Sequence, residues 1–189
     1  MKEVQYTVTH YITQVQMEEY RTACVDVPKF LSYCQRCSNY NKVWSCPAFD
    51  FSAEQLWSQY RTMELYGREV RFSPEALELE WPPEELGWKS KEILRPVQQE
   101  LLQFLLEREK QIPGSMALAA GSCEGCFPEP CRKQKGLPCI HPERMRYSLE
   151  ALGGDVSLTA SRYLHKEMVW GKRGHLPEYY FLVGALLKK

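Results

Sequence analysis

Eight cysteines in a chain of 189 residues restrict the possible folds of this sequence more than any other feature. Thiols at this density either form a disulfide framework, which belongs to oxidising compartments, or bind metal in reducing ones. The first residues contain no apolar signal core, and no apolar run is long enough to span a membrane. We therefore expect a cytoplasmic protein in which the cysteines bind metal.

Seven of the cysteines fall into two groups with the spacing of metal ligands. The first group is Cys34, Cys37 and Cys46, and the second group is Cys123, Cys126, Cys131 and Cys139. Each group begins with a C-x-x-C pair, which places two thiolates on one tight turn. The pattern predicts two cysteine-rich metal loops, at about residues 27–51 and 121–142.

The spacing of the cysteines is compatible with two kinds of metal site, zinc and iron–sulfur. A zinc site usually joins two C-x-x-C pairs across a short loop, and a site built from both pairs here leaves Cys46, Cys131 and Cys139 without a role. Iron–sulfur clusters accept uneven spacing and often include a cysteine followed by proline, as in Cys46-Pro47. The sequence thus favours one or two [4Fe–4S] clusters, with zinc as the alternative.

The fourth ligand of the first group is left open. Cys24 is one candidate, but its apolar neighbours Ala23 and Val25 favour an inert core thiol. In that case the remaining metal position takes water, an exogenous molecule, a thiolate from elsewhere in the chain, or a side chain such as His10 or Glu150.

Two more side chains near the second group have alternative interpretations. His141, two residues after Cys139, is either a ligand or a local hydrogen-bonding group at the start of a helix. Glu150 is either a carboxylate with a raised pKa or the partner of a buried ion pair with Arg144 or Arg146.

Hydrophobic periodicity predicts an α+β protein of one domain, residues 1–189, with a small mixed or antiparallel sheet and a few helices. Predicted strands cover about 4–15, 62–72, 116–120 and 179–187, with Gly67 as a bulge. Predicted helices cover about 53–60, 91–111, 142–152 and 157–166. An acidic, proline-containing segment, 73–88, is interpreted as a connector, with Pro96 near the start of the helix that follows.

Several classes of function are not favoured by the sequence. Lys plus Arg and Asp plus Glu both number 24, so that no globally basic surface for nucleic acid is expected. Glycine-rich phosphate loops and serine nucleophile elbows are also missing. We expect a redox partner protein or a small-molecule substrate as the partner, with no membrane and no nucleic acid.

The ordered combination of motifs resembles a known family. The motifs are Cys34-x2-Cys37-x2-Tyr40, Trp44-Ser45-Cys46-Pro47, Gly121-Ser122-Cys123-x2-Cys126, Pro138-Cys139-Ile140-His141-Pro142-Glu143 and Ser148-Leu149-Glu150-Ala151-Leu152-Gly153. They resemble the "predicted metal-binding protein" domain of unknown function 2284, found mostly in anaerobic bacteria and archaea. The resemblance implies a cytoplasmic protein of anaerobic metabolism with bound metal, as [4Fe–4S]. Ala48 and Ile140 depart from the family pattern, which commonly has proline and arginine there.

These observations predict an iron–sulfur protein that passes electrons to a partner enzyme. An enzyme of another class is the first alternative: a small reductase or lyase that binds substrate at an open iron of the first group. The second alternative is an interaction module stabilised by zinc.

Overall fold

An antiparallel sheet of four strands forms the centre of the fold in the computed structural model, which describes residues 4–189. The strands are β1 (Tyr6–Gln16), β2 (Thr62–Phe72), β3 (Met116–Leu118) and β4 (Tyr179–Lys188), in the order β1-β2-β4-β3. The α-helices are α1 (Met17–Cys24), α2 (Val27–Cys34), α3 (Ala53–Trp57), α4 (Pro74–Leu77), α5 (Pro83–Gln111) and α6 (Val156–Leu164). Two 3-10 helices complete the fold, η1 (Arg132–Lys135) and η2 (Glu150–Leu152). The predicted α+β class is confirmed, with an antiparallel sheet.

The two faces of the sheet contact different helices. One face carries Leu65, Val183 and Leu187, which join the core beneath α1 and α6. The other face carries Tyr66 and Leu186, which pack against α5. Helices therefore cover the sheet on both sides. The two cysteine segments, 27–51 and 121–142, hold the cysteine groups: the first segment begins with α2, and the second follows β3.

Helix α5 begins eight residues before the predicted start at residue 91, which corrects the interpretation of 73–88 as a connector. Pro82 and Pro83 stand at the helix start, where a fixed φ is favourable and no N–H is needed. Val97, Leu101 and Leu105 recur every four residues on the buried side of α5. Pro96 consequently lies inside the helix and not near its start.

Gly67 does not form the predicted bulge. Its pairing with Tyr11 on β1 and with Val183 on β4 continues the register of both ladders without an extra residue. A Cβ atom at Gly67 would lie 2.5 Å from Cζ of Phe181, so this position requires glycine because the aromatic ring packs directly on the backbone.

The predicted helix over 142–152 is wrong. The backbone N–H of Ala119 donates to the carbonyl of Tyr147 at 2.7 Å, and Ala119 and Ser148 form a parallel bridge. This pairing holds the chain extended just before η2, so only Glu150–Leu152 is helical. Gly153 ends η2 with φ 88°, in the left-handed region that glycine readily adopts at the end of a helix.

The remaining predicted elements correspond to β1, α3, β2, β3, α6 and β4, with ends shifted by up to three residues. None of the helices within residues 4–189 is long and apolar enough to cross a membrane. The prediction that the chain begins without an apolar signal core concerns residues 1–5, of which 1–3 lie outside the described residues.

An ionised carboxylate on β2 makes the stability of this fold dependent on pH. Burial opposes ionisation of Glu64, but hydrogen bonds from Lys188, Tyr66 and Arg108 lower its pKa from 4.5 to about 2. A carboxylate with a lowered folded-state pKa stabilises the fold above its unfolded pKa, and this stability is lost as the pH falls from about 4.5 towards 2.

We expect Glu64→Gln to lower the free energy of unfolding at pH 7 by about 3 kcal/mol, the equivalent of this pKa shift. Denaturant titrations at pH 7 and pH 3 test this, and the difference between the variant and wild type should shrink at pH 3. The exposed Glu54→Gln is the control and should change little at either pH. A constant difference at both pH values would contradict the assignment.

Candidate metal centre

The first cysteine of the first group lies on the last turn of α2, and not in a loop. The predicted loop of 27–51 is therefore irregular only from residue 35 onwards. Asp26 caps the helix because its Oδ1 accepts a hydrogen bond from the N–H of Lys29 at 3.0 Å, and Pro28 lies in its first turn. A following turn, in which Cys37 N–H donates to the carbonyl of Cys34 at 2.9 Å, brings the C-x-x-C pair together.

The third cysteine of the first group returns to the same place through a tight turn. Cys46 N–H donates to the carbonyl of Val43 at 3.0 Å. Burial raises the pKa of the Cys46 thiol, and the nearby Cys37 and Cys34 raise it further. The structure thus brings the three cysteines of the first group close enough to interact electrostatically.

The second group lines one cavity of about 190 Å³. All four of its cysteines contribute to the wall, together with His141 and with Asn39 and Trp44 from the first segment. Backbone N–H groups point at two of the sulfurs: Gly125 to Cys123 and His141 to Cys139, each at 3.4 Å. Burial raises the pKa of the Cys123 thiol, the hydrogen bond from the N–H of Gly125 lowers it, and the other three cysteines of the group raise it.

The arrangement of ligands bears on which metal fits. A zinc ion 2.3 Å from each thiolate needs sulfurs about 3.8 Å apart. Within residues 4–189 no group of three or more His, Cys, Asp or Glu side chains is arranged to hold a single ion in this way. An iron–sulfur cluster instead places each thiolate on a different iron, so its sulfurs surround a wider space, as a thiol-lined cavity does. The donor set is soft and consists of thiols, which suits iron–sulfur or zinc and not magnesium or calcium.

Side chains of three residues in the first cysteine segment form hydrogen bonds to the second segment. Ser45, which is 1% exposed, accepts a hydrogen bond through Oγ from the N–H of Cys123 at 2.9 Å. Asn39 Nδ2 donates to Ser122 Oγ at 3.1 Å, and Trp44 Nε1 donates to a backbone carbonyl of the second segment at 3.2 Å. Sequence reasoning missed Ser45, although a buried hydroxyl beside a metal-binding cysteine requires such a partner.

A lysine of the second segment also contacts the first. Lys133, on η1, donates through Nζ to the carbonyls of Cys46 and Ala48, both at 3.2 Å, and its Nζ lies 5.3 Å from the centre of the Trp44 ring. Lys133 is half-buried against the first group, whereas Lys135 is exposed.

Cys24 lies apart from both groups. It is 2% exposed in the core that includes Tyr20 and Trp57, and the interactions that affect its pKa after burial involve Thr159 and Arg162. This location agrees with the interpretation of Cys24 as an inert core thiol. We expect Cys24→Ser to leave the metal content unchanged while lowering the free energy of unfolding by about 1–3 kcal/mol, because it buries a hydroxyl in an apolar site.

Glu150 does not form the ion pair that was one of its two interpretations. Arg146 donates instead to Glu109, at 3.1 Å from its Nε, and Arg144 is exposed. The Oε2 atom of Glu150 is buried and has no hydrogen-bond partner within residues 4–189, and burial raises the pKa of the carboxyl group. The charge of Glu150 also contributes to the raised pKa of Cys34, after burial and the neighbouring Cys37.

The surface around the second group is partly apolar. Phe127, Leu137 and Ile140 are 55%, 39% and 46% exposed. Arg95 stacks its guanidinium on Phe127, 3.7 Å from the ring centre, and forms an ion pair with Glu124 at 2.8 Å. Exposed apolar side chains next to a thiol-lined cavity give this side of the molecule a surface suited to contact with another molecule.

A family model described as "Predicted metal-binding protein (DUF2284)" matches residues 20–187. The matched range includes both cysteine groups, Glu150, the strands β2 and β3, and all of β4 except Lys188. Neither the curated proteins nor the solved structures include one that matches the chain.

Proposed function

The chain belongs to the DUF2284 family of predicted metal-binding proteins, and we propose that it is an iron–sulfur protein with one or two [4Fe–4S] clusters that transfers electrons to a partner enzyme. The observation that carries the proposal is the 190 Å³ cavity lined by all four cysteines of the second group. Four thiolates are the complete ligand set of a [4Fe–4S] cluster.

The backbone around the second group favours the binding of a negatively charged cluster. A cluster held by four thiolates carries net negative charge and accepts hydrogen bonds at sulfur. The N–H groups of Gly125 and His141 already donate to ligand sulfurs. Gly121 and Gly136 adopt φ values of 83° and 67°, which allow the chain to turn tightly around the cavity.

The contacts between the two segments support a path for electrons. A bound cluster gains one electron from a donor and gives one to an acceptor, and its redox potential depends on surrounding charge and hydrogen bonds. Ser45 connects the first group, beside Cys46, to the backbone of Cys123 in the second. Two centres that are connected through Ser45 in this way are close enough for an electron to pass between them inside the protein.

The exposed apolar side chains near the second group support a docking surface for the partner enzyme. Leu137 and Ile140 lie in the same segment as the exposed basic residues Arg132 and Lys135. Such a surface is complementary to an apolar patch with acidic residues at its rim, and charge complementarity would speed association.

Metal analysis after strictly anaerobic purification tests the proposal directly. We expect about four irons and four sulfides per chain for each cluster, and therefore about eight of each if both groups are filled. One zinc per chain without acid-labile sulfide would contradict the proposal and favour the zinc-stabilised interaction module.

The charge of Lys133 gives an electrostatic prediction. Because its Nζ lies against the backbone of Cys46, we expect Lys133→Met to make the reduction potential of the first centre more negative by tens of millivolts, on the order expected from loss of one partly screened charge. Potentiometric titration followed by electron paramagnetic resonance measures the shift. Lys135→Met is the matched control, since this exposed lysine on the same helix should shift the potential much less. Equal shifts in both variants would contradict a specific role for Lys133.

A second candidate function follows from the number of thiolates in the first group. Three cysteines leave one position of a [4Fe–4S] cluster without a thiolate from this group. This favours an enzyme, a small reductase or lyase, that binds its substrate at that position. Small ligands added to the reduced protein would distinguish it from a carrier, because only an exchangeable position lets them alter the spectrum of one centre.

A further inference from the structure

We propose that a second cavity, lined by arginines, binds a small carboxylate anion beside the second cysteine group. The cavity has a volume of about 60 Å³ and lies where helix α5, the chain after β3 and the start of the second cysteine segment meet. Its wall includes three arginines and two glutamines: Arg95, Arg144, Arg146, Gln98 and Gln99. We call it the arginine cavity, to distinguish it from the 190 Å³ cavity that the four cysteines line.

The arginine cavity carries more positive charge than the neighbouring carboxylates neutralise. Arg146 forms an ion pair with Glu109, at 3.1 Å from its Nε. Arg95 forms an ion pair with Glu124 at 2.8 Å. Arg144 is exposed, and its side chain forms no ion pair or hydrogen bond within residues 4–189. A dissolved anion therefore meets one guanidinium here whose charge is not neutralised.

Arg95 is held in a fixed orientation at the wall of the arginine cavity. Its Nε donates to Glu124, and its guanidinium stacks on the Phe127 ring, 3.7 Å from the ring centre. Its two terminal nitrogens have no hydrogen-bond partner in the part of the chain that the structure describes. A guanidinium fixed in this way offers N–H groups in a planar fork, which matches the two oxygens of a carboxylate.

The size and the apolar part of the wall limit the ligand to a small one. The volume of about 60 Å³ corresponds to roughly two water molecules at about 30 Å³ each, which accommodates formate or acetate. Ala119 and Ala120 are 7% and 9% exposed, and Leu102 completes the apolar side. Apolar walls lower the local dielectric constant and so strengthen the attraction between a carboxylate and the arginines.

The arginine cavity shares part of its wall with the cavity of the second group. Cys123 and Gly125 line both. Reduction of a cluster at the second group adds one negative charge close to the bound carboxylate, so the oxidised protein should bind the anion more tightly than the reduced protein. By linkage, the bound anion then makes the reduction potential more negative. This redox effect rests on the proposed function, whereas the binding site itself does not.

Isothermal titration calorimetry of the anaerobically purified protein with sodium acetate tests the site, at an ionic strength held constant with chloride. We expect saturable binding of one acetate per chain. Arg144→Gln should weaken it about 10-fold, because it removes the guanidinium that has no partner. Leu102→Trp should abolish it, because the larger side chain fills the cavity. Arg173→Gln is the matched control, since this exposed arginine lies outside the cavity and its loss should leave the affinity unchanged.

Three calorimetric results would overturn the inference: no saturable binding to the wild-type protein, equal affinities in all three variants, or tighter binding of inorganic phosphate than of acetate. Arg144→Gln alters an exposed side chain, so it tests the site even if Leu102→Trp fails to fold.

Potentiometric titration with and without saturating acetate tests the redox effect. We expect the potential of the second centre to become about 59 mV more negative, the equivalent of 10-fold tighter binding to the oxidised protein, and to stay constant in Leu102→Trp. An equal shift in wild type and Leu102→Trp would overturn the coupling. Zinc without sulfide in the wild-type protein would overturn the proposed function, and the calorimetric result would still decide whether the carboxylate site exists.

Discussion

Replacing Cys131 with alanine should remove about four irons and four sulfides per chain, because the second group loses one of the four thiolates that line its cavity. The same loss is expected for alanine at each of the other three cysteines of the group. The four side chains stand within 17 residues, from Cys123 to Cys139, and face one space, so they act as one ligand set. Iron and sulfide analysis of anaerobically purified variants measures the effect.

The location of Cys24 supplies the control for this experiment. Cys24→Ala removes a thiol from the core and should leave iron and sulfide at wild-type values. If both groups hold clusters, alanine at Cys131 should leave the first centre and its spectrum in place. A loss of about one zinc in place of iron would contradict the cluster, and an unchanged iron content would contradict the ligand set.

The strands were more predictable than the helices. Strand β2 occupies residues 62–72 as the sequence indicates, because its apolar side chains alternate and turn residues flank it. The predicted start of helix α5 lies too late in the sequence, because Pro82 and Pro83 are compatible with either a turn or a helix start. The helix predicted over 142–152 was wrong because Ala119, from a distant part of the sequence, holds that segment extended.

The membership of the cysteine groups was visible in the sequence because each group is local. The contacts that join the two groups were not visible in the sequence. Ser45 and Cys123 are 78 residues apart, and Lys133 and Cys46 are 87 residues apart. Local spacing carries no information about such pairs, so the contacts between the two segments emerge only from the folded chain.

Glu150 shows how tertiary structure changes the interpretation of a residue. In the sequence, Arg146 stands four residues before Glu150, a spacing that favours an ion pair if the segment is a helix. The segment is extended instead, and Arg146 reaches Glu109 on α5. The carboxyl group of Glu150 is left with a buried oxygen, Oε2, that has no hydrogen-bond partner within residues 4–189.

Removal of the metal is expected to unfold the two cysteine segments while the sheet remains folded. Metal binding stabilises a site that does not otherwise persist, and structural metal sites contribute about 10 kcal/mol or more to folding. The segments consist largely of turns, whereas the sheet buries its apolar faces against α1, α5 and α6. We expect amide protection over 27–51 and 121–142 to fall by about 100-fold or more after anaerobic chelation, as measured by hydrogen exchange.

Within 27–51 the loss should be smallest in α2, because Asp26 caps it and η2 packs against it independently of any metal. Protection in β2 and β4 serves as the internal reference and should change little, since their ladder is continuous from Thr62 to Arg71. If the segments keep the same protection with and without metal, their own contacts, such as Ser45 with Cys123, are sufficient to hold them. The metal would then be bound by a preformed site, and its removal would alter redox chemistry without altering the fold.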